Sequence, residues 1–459
     1  MKKAWQIERE LRVAAVPVDR RVNQSHYNDE EAAFNTIPAG DDLLRLFWES
    51  KVPGSYAPEI PYLEMVQAAY TKGYDTTQAE RILPRALDLA KSDKIDELRA
   101  VTAELLEALN NAHPDPQHPC HRFEHPATWL EVKSAMGKVQ VGPIAFDKSD
   151  LKERIYQGWL GQLSGGSFGT ALEGYTGEQL TRLYGDIRTY ICPPETTNDD
   201  VVYELVLLDV FEKLGKQLNS HELAVEWIKQ IPFGWSAEWI ALRNLSMGIF
   251  PPQSGSFMNP YSNWIGAQMR GMICGMLAPG WPMEAARLAH IDGEVSHDNN
   301  GVYGEMFAAV LTSLAFVRKD PRALLVEAAE YVPQKSFYAS VLRDCLAVVS
   351  SQANPLDAWK ILDDHYKEYN WIDAHPNIAA VIVSLWYGKL DMTECFSVLA
   401  KCGLDVDCNG GLVGNVLGVI QPVPEQWASP LGDLLETYLP GKAKLSIKEL
   451  ADRTASLAL

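Results

Sequence analysis

Two regularly spaced sets of glycines constrain the fold of this chain more than any other feature. A glycine inside a helix costs about 1 kcal/mol relative to alanine, so three glycines on one helical face require a compensating contact. A face without Cβ atoms lets a second backbone or a ligand approach closely. The sequence therefore predicts two helices that pass very near each other or near a ligand. Within each set a glycine occurs at every fourth residue. The first set is Gly161, Gly165 and Gly169, and the second is Gly410, Gly414 and Gly418.

Two acidic clusters stand immediately before long apolar segments. The first cluster, at residues 198–200, precedes apolar residues that recur at helical spacing over residues 201–214. Thr197 and Asp200 resemble a capping box there, although glutamate or glutamine is usual at the last position. The carboxylates are therefore predicted in the first helical turn, where the helix dipole stabilises each by roughly 0.3–1 kcal/mol. The second cluster, at residues 405–410, leads into the second glycine set.

The two clusters form a site for a hard metal ion if the fold brings them together. Four aspartates without a counter-ion would repel one another and raise each other's pKa values, and a divalent cation removes this repulsion. Oxygen ligands without histidine or paired cysteine suit Mg, Mn or Ca rather than Zn. Either cluster alone is also explained as an acidic turn that caps a helix. Spacing in the sequence does not decide between these two interpretations.

Composition places the chain among globular proteins that do not bind nucleic acid. Its 459 residues can bury a large core, and 47% apolar residues favour a packed interior over disorder. The formal net charge of -19 argues against a nucleic-acid partner, which requires a basic surface.

Targeting signals and cysteine usage indicate a cytoplasmic protein without a membrane partner. No apolar leader follows the amino terminus, and the apolar run at residues 378–387 is too short to span a bilayer. The seven cysteines are odd in number and scattered, so they do not suggest a disulfide framework.

Residues 1–150 have a different character from the rest of the chain. Helical stretches such as residues 95–109 run into residues 113–125, which carry four of the ten histidines and one cysteine. Zinc binding is one interpretation, but the spacing fits no established zinc motif, and the prolines favour a linker or an extended turn. At the other end of the chain, residues 446–457 predict a short amphipathic helix.

Four stretches match one protein family in order and spacing over about residues 150–450. On these stretches the chain resembles the ADP-ribosylglycohydrolase family, of the dinitrogenase reductase-activating glycohydrolase type, and within it a bacterial subgroup with a longer amino-terminal region. The stretches are GWLGQLSGGSFGTALEG at residues 158–174, NDDVVY at 198–203, NPYSNWIGAQMR at 259–270 with its continuation to GVYGEMF at 301–307, and GLDVDCNG at 403–410.

The resemblance implies a compact all-α, multi-helix fold with a metal-binding cleft. It places a helical amino-terminal extension and linker in residues 1–150. The catalytic domain, with a helical tail at the carboxyl terminus, then occupies residues 151–459.

The resemblance also implies metal ligands and catalytic groups. The first metal motif of the family is a hydroxyl residue followed by two aspartates, and the second is Asp-x-Asp followed by a hydroxyl residue. Both hydroxyl positions differ here: an asparagine carbonyl still suits a hard cation, whereas a cysteine sulfur does not, so the second metal is less well supported. We expect one or two ions, Mg or Mn. The expected ligands are Asn198, Asp199, Asp200, Asp405, Asp407 and Cys408, and the expected catalytic residues are Glu173, Asp199 and Asp200.

Substrate contacts are expected from the same family motifs and from polar residues near them. Arg270 is a candidate for phosphate binding, and Trp264 or Tyr303 for stacking on a base. Each of these residues also has a structural explanation, as a surface ion pair or as part of the core. The expected substrate-binding residues are Trp264, Arg270, His297, Tyr303, Asn377 and Gly410.

The reaction implied by the resemblance is hydrolysis at the anomeric carbon of a ribosyl group. Such cleavage passes through an oxocarbenium-like state, so the site must stabilise positive charge and deliver water to one face of the sugar. The expected substrate is a small molecule or a protein that carries ADP-ribose. Two alternatives remain open: a hydrolase of small N-ribosides or nucleosides, and a non-catalytic protein that binds ADP-ribose or a nucleotide.

Overall fold

The computed structural model describes residues 2–22 and 41–459 of the chain. Within these residues the fold is all-α, as the sequence predicts, because helices dominate and each strand is only two residues long. The strands form three antiparallel pairs. These pairs are β1 (Ser50–Lys51) with β2 (Pro58–Glu59), β3 (Tyr175–Thr176) with β4 (Gly403–Leu404), and β5 (Leu435–Glu436) with β6 (Lys444–Leu445).

The amino-terminal region contains six of the described helices. They are α1 (Ala4–Ala14), α2 (Asp41–Trp48), α3 (Pro61–Thr71), α4 (Thr77–Lys91), α5 (Ile95–Asn110) and α6 (Trp129–Ala135).

The rest of the chain forms a larger helical body around one hydrophobic core. Its helices are α7 (Leu151–Gly169), α8 (Gly177–Tyr184), α9 (Asp199–Leu214), α10 (Ser220–Gln230), α11 (Ser236–Ser246), α12 (Gln253–Ser256), α13 (Met272–Leu277), α14 (Pro282–Gly293), α15 (Asn300–Ala315), α16 (Pro321–Ala328), α17 (Phe337–Ser351), α18 (Pro355–Tyr366), α19 (Ala374–Gly388), α20 (Met392–Cys402), α21 (Val406–Ile420), α22 (Glu425–Ala428) and α23 (Ile447–Leu457). Short 3-10 helices occur at Pro119–Arg122, Gly215–Gln217, Gln268–Arg270, Ala329–Tyr331 and Ser429–Leu431.

Helices α7 and α21 contact each other backbone to backbone, and both are buried over most of their length. A Cβ atom at Gly165 would lie 1.9 Å from the carbonyl oxygen of Gly410, and one at Gly414 would lie 2.0 Å from that of Gly161. No real Cβ atom approaches an oxygen so closely. The prediction that the two glycine sets mark a close helix pair is therefore confirmed.

The β3–β4 pair joins the loops that follow α7 and precede α21. Tyr175 pairs with Leu404, and the backbone N–H of Gly174 donates to the carbonyl oxygen of Leu404 at 2.9 Å. Glu173 lies just before this ladder and Asp405 just after it, so the ladder brings these two carboxylates to the same end of the helix pair.

The amino-terminal region packs directly on the larger helical body. We call residues 50–59, which contain β1 and β2, the amino-terminal hairpin. Val52 and Ala57 of this hairpin belong to the main hydrophobic core. The Tyr175 hydroxyl donates to the carbonyl oxygen of Ser55 at 3.1 Å. The hairpin therefore lies against the segment that carries Glu173.

The histidine-rich stretch at residues 113–125 does not assemble a metal site in the structure. The thiol of Cys120 donates to the carbonyl oxygen of Lys72, and the Nε2 atom of His121 lies 3.0 Å from that of Gly73. Among the described residues, the side chains close enough together for metal binding lie elsewhere. The contacts instead fasten this stretch to the end of α3.

No described helix is a candidate for a membrane-spanning segment. None of the helices in residues 2–22 and 41–459 combines the length and apolar character needed to cross a bilayer.

Candidate active site

Asn198 caps the amino-terminal end of helix α9 and connects the first acidic cluster to the second through a hydrogen bond. Its side-chain oxygen accepts a hydrogen bond from the backbone N–H of Asp200 at 2.8 Å. The predicted capping box of Thr197 and Asp200 is therefore wrong, because Asn198 is the capping residue and the Asp200 side chain faces Cys408. The Nδ2 group of Asn198 donates to Asp407 at 3.0 Å. One asparagine thus fixes the helix start and orients a carboxylate of the other cluster.

The second acidic cluster begins α21 and is held by an asparagine of α19. Asp405 caps the helix, and its Oδ1 atom accepts a hydrogen bond from the backbone N–H of Cys408 at 3.3 Å. The Oδ1 atom of Asn377 accepts from the backbone N–H of Asp405 at 3.2 Å and from the amide of Asn409 at 2.7 Å. Asn377, expected to contact substrate, instead positions the loop that carries the carboxylates.

The two clusters converge with Glu173 at one end of the α7–α21 pair. One ligand atom from each of Asp200, Asp407 and Cys408 lies within 4.8 Å of the other two. Carboxylate oxygens of Glu173, Asp405 and Asp407 form a second group with the same spacing. Asp407 belongs to both groups and is therefore the centre of the arrangement.

Burial and mutual repulsion disfavour ionisation of these carboxylates. Burial raises the pKa values of Glu173, Asp200 and Asp405 well above the ordinary range, and the charge of Asp407 adds to each increase. Burial and Asp407 together also raise the pKa of Asp199, to about 7. The site therefore concentrates acidic groups whose ionisation is disfavoured in the metal-free protein.

The donor set fits a hard divalent cation. The Oδ1 atom of Asp407 is buried and has no hydrogen-bond partner among the described residues, although buried polar atoms normally have one. Neighbouring carboxylates offer further oxygen atoms, which suit Mg or Mn. Cys408 fits less well. Burial raises the pKa of its thiol well above the ordinary value, and Sγ donates to Asp200 at 3.4 Å.

A cavity of about 80 Å³ opens onto the acidic cluster. The indole nitrogens of its three tryptophans are buried and have no hydrogen-bond partner among the described residues. Buried donors are normally paired, so three unpaired indole nitrogens beside one cavity are uncommon. Trp264, which the sequence analysis proposes as a substrate contact, is one of the three and lines the cavity. The lining includes the acidic residues Glu59, Glu173, Asp199, Glu238, Asp405 and Asp407 and the tryptophans Trp235, Trp264 and Trp371.

Arg270 lies in the core and not on the cavity wall. Its guanidinium is fully buried, with Nε donating to Asp292 at 2.5 Å and Nη1 to Glu238 at 2.9 Å. Nη2 donates to Ser296 at 2.9 Å. These partners occupy the donors that phosphate binding would need. Arg270 forms buried ion pairs with Glu238 and Asp292, and not the surface ion pair considered from the sequence.

The other expected substrate contacts lie outside the cavity lining. His297 is buried, and burial together with the charge of Arg270 lowers its pKa well below the ordinary value. Tyr303 is buried, and its hydroxyl donates to the carbonyl oxygen of Pro126. Gly410 lies at the contact with Gly165 on α7. All three are buried residues that do not line the cavity.

The cavity also contains residues that the sequence analysis did not select. Val52, Pro53 and Glu59 reach it from the amino-terminal hairpin, and Trp371 reaches it from the loop before α19. No local motif marks these positions, because only the folded chain brings them to the cluster. Of these four residues, Trp371 alone is close in sequence to a residue that the sequence analysis selected, because Asn377 lies six positions after it.

The fold and this site together define a helical protein with an acidic cleft suited to metal binding. A family model described as ADP-ribosylglycohydrolase matches residues 147–458, more than half of the chain. The chain belongs to the ADP-ribosylglycohydrolase family. Residues 1–146, including the amino-terminal hairpin, lie outside the match.

Comparison with solved structures gives a similar chain titled "ADP-ribosylglycohydrolase-related protein complex". The two chains share 18% identity with a TM-score of 0.47, and the similarity covers 67% of this chain and 98% of that one. No curated protein matches the chain.

Proposed function

We propose that this protein is a metal-dependent hydrolase that cleaves the glycosidic bond at the anomeric carbon of an ADP-ribosyl or related ribosyl group. The observation that carries the proposal is the convergence of Glu173 and two acidic clusters on one cavity. Membership of the ADP-ribosylglycohydrolase family supports hydrolysis as the reaction and a small molecule or an ADP-ribosylated protein as the substrate.

The proposed metal ligands are the carboxylates of the two acidic clusters. Bound Mg or Mn would polarise ribose hydroxyl groups and the attacking water. Asn198 serves this arrangement by orienting Asp407 through a hydrogen bond. Cys408 is the weakest of the proposed ligands, because its thiol donates to Asp200 and sulfur suits these ions poorly. The carboxylates proposed to hold one or two ions are Asp199, Asp200, Asp405 and Asp407.

Glu173 and Asp199 are the proposed groups for proton transfer. A general base works best when its pKa lies near the working pH. Burial and the charge of Asp407 raise the pKa of Asp199 to about 7 in the metal-free protein, so Asp199 would serve as a base where it is not itself bound to an ion. Glu173 lies in the same cavity and shares Asp407 as a neighbour. The surrounding carboxylates would also stabilise the positive charge that develops on the sugar ring. Asp200 is proposed chiefly as a metal ligand.

Hydrolysis of small N-ribosides is a second candidate function, and the size of the cavity favours it. Ligand pockets commonly have volumes of about 300–1,000 Å³, whereas this cavity measures about 80 Å³. The small volume favours a small ligand such as an N-riboside, part of which would extend from the open side of the cavity. The hairpin residues Val52 and Pro53 form part of the wall that limits it.

The proposal extends to the type of glycohydrolase and to the cellular location of the protein. We propose the dinitrogenase reductase-activating glycohydrolase type, in a bacterial subgroup whose amino-terminal extension packs on the catalytic region. We also propose a cytoplasmic location, which is supported by seven cysteines that are all free thiols.

Turnover of a substrate panel by the Asp200→Ala variant tests the proposed function. The panel contains ADP-ribosyl-arginine and free nucleosides, each assayed with Mg, with Mn and with a chelator. We expect metal-dependent hydrolysis of at least one compound by the parent, and a loss of about 10²-fold or more in the variant. The control Asp452→Ala removes an exposed aspartate of α23 and should retain full activity. Full activity in Asp200→Ala would contradict the proposal, and binding without turnover would identify a non-catalytic protein.

A further inference from the structure

A second cavity lies between the amino-terminal region and the larger helical body. Its volume is about 260 Å³, which exceeds the roughly 150 Å³ of an apolar cavity known to admit benzene. Helices α3 and α5 form one side and α11 and residues 256–260 form the other. None of its lining residues belongs to the acidic cavity, although α11 contributes residues to both.

The charge of this cavity is opposite to that of the whole chain. Among the described residues that line it, Lys72 and Arg243 are the charged ones, and none is an aspartate or a glutamate. The chain carries a formal net charge of -19. Asp298 acts on Lys72 electrostatically but is not a lining residue, so an anionic ligand in the cavity would face two cations.

Neutral groups are the hydrogen-bond partners of both cations. The Nζ atom of Lys72 donates to the carbonyl oxygen of Asn259 at 3.1 Å and to the Ser262 hydroxyl at 2.6 Å. Arg243 donates through Nη2 to Asn244 at 3.1 Å, and its Nε atom is buried without a partner among the described residues. Burial lowers the pKa values of both Lys72 and Arg243. An anion in the cavity would offset this cost and satisfy the free donor.

The rest of the lining is aromatic and aliphatic. Tyr62, Tyr74 and Trp239 contribute rings, and Tyr74 is exposed at the surface. Aromatic walls favour a flat apolar body through stacked or edge-on contacts. The aliphatic lining residues include Met65, Leu106, Leu109, Ile240 and Met258.

We propose that this second cavity binds a small aromatic acid, namely a ring of about the size of benzene that carries a carboxylate or phosphate group. The cavity volume admits such a ring, the rings of the lining hold it, and Lys72 and Arg243 receive the acidic group. The site is separate from the acidic cavity, so the proposal does not depend on the proposed hydrolase activity.

Calorimetric titration of the full chain with matched probes tests the site. The anionic probes are benzoate and phenyl phosphate, and the neutral control of the same shape is benzamide. We expect at least one anion to bind about tenfold or more tightly than benzamide, because hydrogen bonds to charged groups contribute more than neutral ones. The tighter of the two anions identifies the acidic group. Equal affinities for the anions and benzamide, or no binding of either anion, would overturn the proposal.

Substitutions of Lys72 and Arg243 test whether the anionic probe binds in the second cavity. Arg243→Gln and Lys72→Met should each abolish most of the preference for the anion, whereas Lys72→Arg should retain it. Lys133→Met removes one exposed positive charge on α6 and should leave binding unchanged. Asp200→Ala should also bind the anion normally, which separates this site from the acidic cavity. Unchanged binding in both Arg243→Gln and Lys72→Met would show that the anion binds elsewhere and would overturn the assignment.

Discussion

Burial raises the pKa values of four carboxylates in the candidate active site, and the charge of Asp407 raises each of them further. Groups with a raised pKa hold protons more tightly in the folded than in the unfolded chain. They therefore stabilise the metal-free fold at low pH, and this stabilisation is lost as pH rises through the folded values. For Asp199 the loss extends from an unfolded pKa of about 4 to a folded value of about 7.

We predict that Asp407→Asn flattens this pH dependence. The melting temperature of the metal-free parent should fall between pH 4.5 and 8 (roughly the range spanned by these pKa values), and the variant should fall less because its neighbours lose a like charge. Calorimetric melting in the presence of a chelator measures both. Asp452→Asn, at an exposed site, is the control and should follow the parent. Identical slopes for parent and Asp407→Asn would refute this account of the site.

Cys408 occupies a position where the family pattern implies a hydroxyl group. We predict that Cys408→Thr binds Mg or Mn more tightly, because an oxygen atom suits these ions better than sulfur. The residue is buried against Asp200 and Met269, so melting temperature must be measured alongside metal affinity. Weaker metal binding by a stably folded Cys408→Thr would mean that the site is adapted to its cysteine.

At the residue scale, motifs predicted which side chains meet but not what surrounds them. Asp200, Asp405 and Asp407 were selected from sequence and converge in the structure. The environment of Arg270 was not predictable, because its carboxylate partners come from different helices. A sequence shows the charge of an arginine but not its burial.

At the element scale, the α7–α21 pair determines where the acidic clusters lie. A Cβ atom at Gly414 would lie 2.0 Å from the carbonyl oxygen of Gly161. At Gly411, on the same helix, the nearest atom to an added Cβ would be Gln162 Cγ at 3.7 Å, an ordinary contact. The two glycines therefore provide a matched pair for testing how close the helices must be.

We predict opposite effects for alanine at these two positions. Gly414→Ala should destabilise the protein by about 1–3 kcal/mol or more, because the helices must separate to admit the methyl group. Gly411→Ala should be neutral or stabilising by up to about 1 kcal/mol, because alanine is the better helix former. Urea unfolding measures both free energies. Equal stability of the two variants would show that α7 and α21 are not held at backbone contact.

Periodicity predicted the long helices well and the short strands not at all. The tail helix at residues 446–457 corresponds to α23, and the run at residues 201–214 corresponds to α9. The amino-terminal hairpin escaped detection because its strands are two residues long and show no alternation that a pattern can register.

At the scale of the whole molecule, Arg12 fastens the amino-terminal region to the active-site cleft. Its buried guanidinium donates to Glu8 at 2.9 Å, to Glu64 at 3.3 Å and to the carbonyl oxygen of Gly174 at 3.2 Å. It also lies over the ring of Trp371, 5.0 Å from the ring centre. One residue near the amino terminus therefore contacts both the Glu173 loop and a tryptophan of the cavity.

We predict that Arg12→Met destabilises the protein by about 3–5 kcal/mol, because it leaves buried carboxylates without their cation. The equivalent change at the exposed pair of Arg182 and Glu178 should cost no more than about 1 kcal/mol. Chemical unfolding of both variants gives the comparison. Similar small losses would mean that the amino-terminal region is attached only loosely.

The division at residue 150 reflects sequence similarity more than packing. The family match begins at residue 147, yet Val52, Ala57, Val132 and Met136 belong to the same hydrophobic core as the matched helices. Sequence patterns could not reveal this shared core, because the contacts join residues far apart in the chain.

Backbone contact between α7 and α21 holds the loops that carry Glu173 and Asp405 close together. Relief of the repulsion between the carboxylates must then come from what they bind, so protons and metal ions compete for the same oxygen atoms. We expect metal affinity to fall as pH is lowered from 8 to 6 (roughly the range about the Asp199 pKa) and each binding event to release protons. Calorimetric titration in buffers of different ionisation enthalpy counts the protons released. A rigid helix contact would thus make this site respond to acidity through its occupancy, without any change of shape.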